Sequence, residues 1–325
     1  MAKKKKKKQS VVNWKFVIFI SVILSVCAII TMADYFTLPS FIHTWDEVKE
    51  GADSLVQNVA SNYDIPILKD EKDLRVHYID VGQGDSILIQ YDGKNALIDS
   101  GIASKADEVN TYLLNNSVEK IDTLIISHPD ADHIGAMSEI IDRYDIGEIY
   151  MSPIIDELVP TSKVYINMLT SISKKGLQIT LKEAGDKIPF GNLEFLCIAP
   201  EGEFASLNNS SLGLKLIHGE NSFLFTGDME KASEKATLQK GYDVSATVLK
   251  IGHHGANTST TLAFLDAVSP KYAVISVGEG NRYGHPKQEV LDALDAKGVK
   301  TYRTDWNGNV VIVSDGVELV VTTQK

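Results

Sequence analysis

Between Leu124 and Gly135 the chain reads L-I-I-S-H-P-D-A-D-H-I-G, an apolar strand that runs straight into His128, Asp130, Asp132 and His133 before a helical pattern begins. Two carboxylates and two imidazoles crowded at one strand end would suffer like-charge repulsion and lost solvation unless a cation neutralised them. Metal binding is the economical reading. The plain alternative is a loop in which Asp132 caps the following helix and the histidines face water. Two later segments repeat the design: F-L-F-T-G-D ends on the carboxylate of Asp228, and V-L-K-I-G-H-H-G ends on His253 and His254. Alone, Asp228 would be a Gly-Asp turn and the histidine pair a polar loop tip. Three such strand ends converging on one rim are much harder to dismiss. A carboxylate such as Asp228 can bridge two cations roughly 3.5–4 Å apart, the spacing of two-metal phosphoester hydrolysis. A bound cation lowers the pKa of water to about 7, so attack needs no protein nucleophile. The chain has no G-x-S-x-G elbow and no G-x-x-x-x-G-K loop, which argues against acyl-enzyme and nucleotide-triphosphatase chemistry.

These residues need elements to hold them. From Leu74 onward, short β-branched runs alternate with helical periodicity, without repeats or low-complexity tracts. Strands are expected at 75–80, 86–91, 95–99, 122–127, 147–151, 177–182, 193–198, 212–218, 222–226, 244–251, 272–277, 300–303, 309–313 and 317–322, and helices at 104–115, 134–143, 161–175, 230–239, 259–267 and 286–297. Turns such as Tyr91-Asp92-Gly93-Lys94 and His218-Gly219-Glu220-Asn221 join successive strands, so many neighbours are antiparallel. The expected fold class is therefore α/β, a mixed-sheet sandwich with helices outside rather than a Rossmann sheet.

Composition narrows the partners. The 325 residues are 44% hydrophobic, enough for a large core, and the two cysteines, Cys27 and Cys197, lie too far apart in sequence for a Cys-rich metal site or a disulfide framework. Seven of the 32 basic residues fall within the first fifteen positions. That leaves 25 against 43 acidic residues, a net of −18. Such a surface discourages tight, sequence-blind nucleic-acid binding. Only Arg75, Arg143, Arg282 and Arg303 are arginines, so Lys250, Lys287 and Arg282 are the few cations expected to offset that field near a substrate.

Lys3 to Lys8 precede an uncharged run from Phe16 to Ala33, close to the roughly 20 residues that span a bilayer, with Trp14 and Tyr35 flanking it. The positive-inside rule puts the lysines in the cytoplasm and the remainder outside. A cleaved signal peptide fits less well, because the run is longer than a usual signal core and no clear cleavage site follows. The expected organisation is a basic tail (1–15), a single transmembrane helix (16–33), a stalk (34–73) and a hydrolase domain (74–325), at the cell membrane with the domain extracellular.

From Leu74 to the end the chain resembles the metallo-β-lactamase fold hydrolases, and within them the hydrolase domain of ComEC-type competence proteins. The resemblance rests on D-V-G-Q-G-D-S at 80–86, L-I-D-S-G at 97–101, Ser127 to Gly135, N-N-S-S-L at 208–212, T-G-D at 226–228, H-H-G at 253–255 and R-Y-G-H-P at 282–286. It implies an αββα sandwich with two divalent ions, Zn or Mn, on the shared rim. Carried over, Asp132, His133, Asp228 and His253 or His254 would form one metal position, with His128, Asp130 and Asp228 at the other. The usual H-x-H-x-D-H reads H-x-D-x-D-H here, and a further histidine of the fold is replaced at Asn208 to Ser211. The second position is then oxygen-rich, weaker, and open to Mn²⁺. By the resemblance Asp99 would orient a ligand from behind. The glycines of Gly82-Gln83-Gly84 suit a tight turn, for which a plain hairpin is an equally good explanation. Asp132, Arg282 and His285 are the residues expected to serve catalysis, the last two by meeting a phosphate or protonating a leaving group. The expected activity is phosphodiester cleavage by a membrane-anchored hydrolase, with DNA among the substrates by analogy and protein partners unknown. A phosphorylcholine esterase or another ester or lactone hydrolase, and a non-catalytic anchored scaffold with a degenerate metal site, are the alternatives.

Overall fold

The computed structural model describes residues 72–325. The basic tail, the apolar run at 16–33 and nearly all of the stalk lie outside the described residues. Among the described residues no helix is long and apolar enough to cross a membrane.

Two sheets form the centre of the molecule. The first opens with β1 (Leu74–Tyr78), β2 (Ile87–Tyr91), β3 (Lys94–Ile98), β4 (Lys120–Ile126), β5 (Asp145–Met151) and β6 (Ile179–Leu181); the second contains β7 (Lys187–Phe190), β8 (Leu193–Ala199), β9 (Gly213–His218), β10 (Asn221–Phe225), β11 (Val248–Lys250), β12 (Tyr272–Ile275) and β13 (Lys300–Arg303). The chain then returns through β14 (Val310–Ser314) and β15 (Leu319–Thr323) to complete the first sheet, ordered β15-β14-β1-β2-β3-β4-β5-β6. The second is ordered β13-β12-β11-β10-β9-β8-β7. Within each sheet a hairpin-rich antiparallel part adjoins a parallel part: β3 to β6 in one, β10 to β13 in the other. The inner parallel strands are mostly buried and read as apolar runs, as L-I-I does in β4, whereas the edge strands β6 and β13 stay partly exposed.

Helices cover the outer faces. Against the first sheet lie α1 (Ala106–Asn115), the single turn α2 (Ala131–Ile134), α3 (Met137–Arg143) and α4 (Lys163–Lys174); against the second lie α5 (Lys231–Lys240), α6 (Leu262–Val268) and α7 (Gln288–Ala296), followed by the short α8 (Thr304–Asn307). Three apolar clusters record the four layers. Tyr78, Phe195, Phe223 and Phe225 fill the space between the sheets. Val109, Ile140 and Met168 pack helices on the first sheet, and Phe264, Leu265 and Leu294 pack helices on the second. The result is an αββα sandwich.

The sequence reading misses β7, because Pro189 sits in K-I-P-F and proline argues against a strand; β7 is the edge of its sheet, where a missing N–H is tolerated. The expected strand at 244–251 shrinks to β11, and the single helix expected at 134–143 is divided. Gly135 causes that break: its N–H bonds to Gly101 O at 2.8 Å, and a Cβ there would lie 2.3 Å from Ala103 N. α2 is thereby locked to the loop after β3.

Candidate metal centre

The carboxyl ends of β3, β4, β10, β11 and β12 supply one rim. Asp99 follows β3, Ser127 and His128 follow β4, Asp228 follows β10, His253 and His254 follow β11, and Ser276 follows β12. Asp132 and His133 lie in α2, one turn beyond β4. Because the parallel strands all point the same way, residues distant in sequence meet at one edge.

Asp228 is the hub, 3% exposed. Its Oδ1 is 3.4 Å from His133 Nε2 and 3.5 Å from His254 Nε2, while its Oδ2 is 3.9 Å from His128 Nε2 and 3.7 Å from His253 Nε2. The two oxygens thus face two different pairs of imidazoles. Asp132 Oδ2 joins the first side, 3.6 Å from His254 Nε2, and Asp130 Oδ2 joins the second, 3.5 Å from His128 Nε2. All seven residues expected to be ligands meet at this rim. His254, buried, stands with Asp132 and His133; His253 is a quarter exposed and lies on the other side, its ring also 3.4 Å from Glu230 Oε1.

The far nitrogen of each buried ring is held. His133 Nδ1 lies 2.7 Å from Asp99 Oδ2, and His254 Nδ1 donates to Ser276 O at 2.9 Å. Ser127 Oγ donates to Asp99 Oδ2 at 2.6 Å and so can accept from His128 Nδ1 at 3.1 Å; Ser211 Oγ lies 3.3 Å from the same nitrogen. With Nδ1 occupied, each Nε2 lone pair points inward. The Nε2 atoms of His128, His133 and His254 and Oδ1 of Asp228 are buried without a hydrogen-bond partner. Buried polar atoms are rarely left this way. Orphaned nitrogens and a carboxylate oxygen around one point fit divalent cations, with tautomers set from behind as at metal-bound histidines.

The electrostatics agree. Burial disfavours charge on His254, yet Asp228, Asp132 and Asp85 outweigh it and hold its pKa up at about 9. Burial likewise opposes charge on His133, but Asp228 and Asp99 raise it well above the ordinary value. Burial would raise Asp132, but His254 and His133 hold it down at about 2. The carboxylates demand positive charge from whatever occupies the rim, proton or metal ion.

Backbone strain marks the same place. Asp99, His253 and His254 have positive φ, about 1–3 kcal/mol each for residues with side chains. His253 N–H bonds to Gly227 O at 3.1 Å, which helps fix that turn. Gly84 is more than a hairpin residue: at φ +112° its missing Cβ would fall 1.9 Å from Asp132 O, so the D-V-G-Q-G-D loop packs directly under the ligand turn.

Arg282 and His285 stand apart from the cluster. Arg282 is exposed, its guanidinium 4.8 Å above the Tyr283 ring and bonded to Tyr283 Oη at 2.7 Å. It shares a cleft of about 530 Å³ with Gln83, Ile102, Val164, Asn281 and Asp132. The His285 ring lies 5.7 Å from that of His253. Burial, then the neighbouring His253, His254 and Lys287, lower His285 to about 4, so at neutral pH it is an uncharged imidazole. Lys250 departs from its expected place. It is fully buried, 2.8 Å from Asp85 Oδ2, and offers nothing to a substrate. The sequence reading also misses the supports Asp85, Ser127, Ser211 and Ser276. One signal was available: a lysine inside the apolar run of β11 and an aspartate at the close of a glycine loop are polar where a core is expected.

The Metallo-beta-lactamase superfamily model matches residues 79–279. The chain is 32% identical over 254 residues to ComE operon protein 3 of Bacillus subtilis, across 72% of this chain and 32% of that protein. It is 31% identical over 241 residues to competence protein ComA of Neisseria gonorrhoeae, across 73% of this chain and 32% of that protein. The chain therefore spans about a third of the length of these curated relatives. Among solved structures it is similar in fold to CmlA, a diiron beta-hydroxylase from Streptomyces venezuelae, at 16% identity with a TM-score of 0.52 over 79% of this chain and 59% of that one.

Proposed function

The chain belongs to the metallo-beta-lactamase superfamily, and from that premise we propose that it is a two-metal phosphodiesterase whose ligands are His128, Asp130, Asp132, His133, Asp228, His253 and His254. The observation that carries the reading is Asp228: one buried carboxylate directs each oxygen at a different set of imidazoles, of which the buried His128, His133 and His254 have Nε2 atoms without a hydrogen-bond partner. His254, His133 and Asp132 with Oδ1 form one position; His128 and Asp130 with Oδ2 form the other, which His253 flanks. Zn²⁺ or Mn²⁺ bound there would supply an activated water and neutralise charge on the phosphoryl oxygens.

The chain's own groups do the rest. The cleft beside Asp132 has an apolar wall of Ile102, Ala103, Ala131 and Val164 facing Gln83, Asn281, Arg282 and Tyr283. Arg282, stacked on Tyr283, presents a cation to a phosphate at the mouth. The neutral His285 hydrogen-bonds the leaving oxygen from the side of His253. The acidic surface favours short or small phosphodiesters over long duplexes, which would be repelled at low salt. DNA is one candidate, and the apolar run 16–33 would tether the domain to the outer face of a membrane.

Elemental analysis and hydrolysis of bis(p-nitrophenyl) phosphate, before and after chelation and with Mn²⁺ or Zn²⁺ restored, test the proposal. Two ions per chain and activity that disappears with chelator are expected. Fewer than two ions per chain at saturating metal, or hydrolysis indifferent to chelation, would overturn it. A panel of single-stranded DNA, phosphorylcholine esters and lactones then separates the substrate classes.

A further inference from the structure

Lys250 is the most improbable residue in the fold. It ends β11, a strand with neighbours on both sides, and pairs in register with Phe225 and Val274, both members of the core between the sheets. Its ammonium is therefore in the interior, where it is 0% exposed, bonded to Ile251 O at 2.8 Å and to Asp85 Oδ2 at 2.8 Å. Asp85 comes from the loop after β1 in the other sheet, so the pair joins the two sheets beneath the rim. Buried ion pairs are poor stabilisers, since desolvation offsets most of the attraction and apolar replacements often do as well. Stability alone does not account for the pair.

Its neighbours do. Asp85 Oδ1 lies 3.5 Å from His254 Nδ1, and an oxygen of Asp85 stands within 4.8 Å of ligand atoms of His133 and Asp99, and of Asp228 and His254. The carboxylates of Asp85, Asp99, Asp130, Asp132 and Asp228 surround the buried imidazoles. Two divalent ions offset four of those five charges. The fifth needs a cation that cannot leave. We propose that Lys250 is a positioning residue that serves as the fixed third cation of the centre: it binds Asp85, keeps that carboxylate from acting as a further metal ligand, and holds its charge beside His254, whose ring Ser276 O fixes. The inference rests on the two-metal reading of the rim.

The experiment compares the full-length wild-type chain with Lys250→Met, Asp85→Asn and the double variant Lys250→Met/Asp85→Leu. Binding of Mn²⁺ and Zn²⁺ is titrated calorimetrically, the visible spectrum of the Co²⁺ form is recorded, and thermal unfolding is followed. Failure of the wild type to take up two ions would defeat the two-metal reading itself. If it takes up two, each folded variant is expected to lose about tenfold or more in affinity at one position, the scale of loss for groups that orient metal ligands, with an altered Co²⁺ spectrum. The double variant, which leaves no unpaired buried charge, should unfold near the wild-type temperature and still show the lowered affinity. Wild-type affinity and spectrum in the double variant or in Asp85→Asn would overturn the proposal and leave the pair a simple staple. If Lys250→Met does not fold, these two variants decide.

Discussion

The two sides of Asp228 are built to different standards. On the Oδ1 side Asp132 is 28% exposed, but both imidazoles, His133 and His254, are 0% and 1% exposed, each with Nδ1 fixed by a partner within 2.9 Å, and Asp85 with Lys250 stands behind them. On the Oδ2 side only His128 is fully buried, held by the hydroxyls of Ser127 and Ser211 at 3.1 and 3.3 Å. Asp130 is 40% exposed and His253 25%. Rigid, water-excluded ligands bind tightly; exposed ones compete with solvent and must be ordered on binding. The difference predicts a resident ion on one side and an exchangeable one on the other.

The largest effect should come from removing the residue both sides share. Asp228→Ala is expected to abolish uptake of both ions and lower phosphodiesterase activity about 10³-fold or more, several kcal/mol of transition-state stabilisation; binding of even one ion with undiminished affinity would break the comparison. Next, Asp99→Asn should weaken the Oδ1 position by about 10–100-fold through its direct contact with His133, and the Oδ2 position less, because His128 is reached only through Ser127. Competitive titration with a chromophoric chelator measures both. Equal losses at the two positions would show that the asymmetry has no energetic meaning.

Gly84→Ala addresses the same side through the backbone. Its new Cβ would meet Asp132 O and demand positive φ of alanine, a loss of roughly 1–3 kcal/mol in chemical denaturation together with weaker metal uptake. A pH series probes the metal-free rim. His254 is raised to about 9 and His133 is raised as well, so their protonation stabilises the folded chain fully below pH 6.5, the unfolded value, and is lost as pH rises through 9. The chelator-treated protein should therefore lose a few kcal/mol of stability, on the order of 1.4 per pKa unit, between pH 6.5 and 9. The loaded protein should not, because bound cations supply the positive charge at every pH. A flat profile without metal would contradict the charge balance described. The smallest change is expected from Asp130→His, which restores an imidazole at the exposed position and should move its preference from Mn²⁺ toward Zn²⁺ by a few fold while sparing the Oδ1 side.

Much of this centre can be read along the chain. The ligand residues follow apolar runs in three places, and a strand that ends in paired carboxylates and imidazoles reports itself through composition alone. Period-2 and period-3.6 patterns likewise place most elements, and they fail where an edge rewrites a local rule. Pro189 hides β7 because a proline strand is admissible only at a sheet margin, and nothing local says that K-I-P-F lies there. Lys250 misleads for the converse reason. A lysine is ordinarily solvated, and only the arrival of Asp85 from the other sheet makes its burial tolerable.

Residue types and their order along the chain determined that carboxylates and imidazoles would gather at strand ends, that helices would alternate with strands, and that cysteine would take no part. Tertiary structure decided which oxygen of Asp228 faces which ring, that His254 turns inward while His253 remains near solvent, and that Gly84, Asp85 and Lys250 stand beneath the rim. The reason is physical. Side-chain chemistry and local periodicity are properties of neighbours in sequence, whereas orientation, desolvation and charge balance depend on groups that approach only when two sheets close on one another.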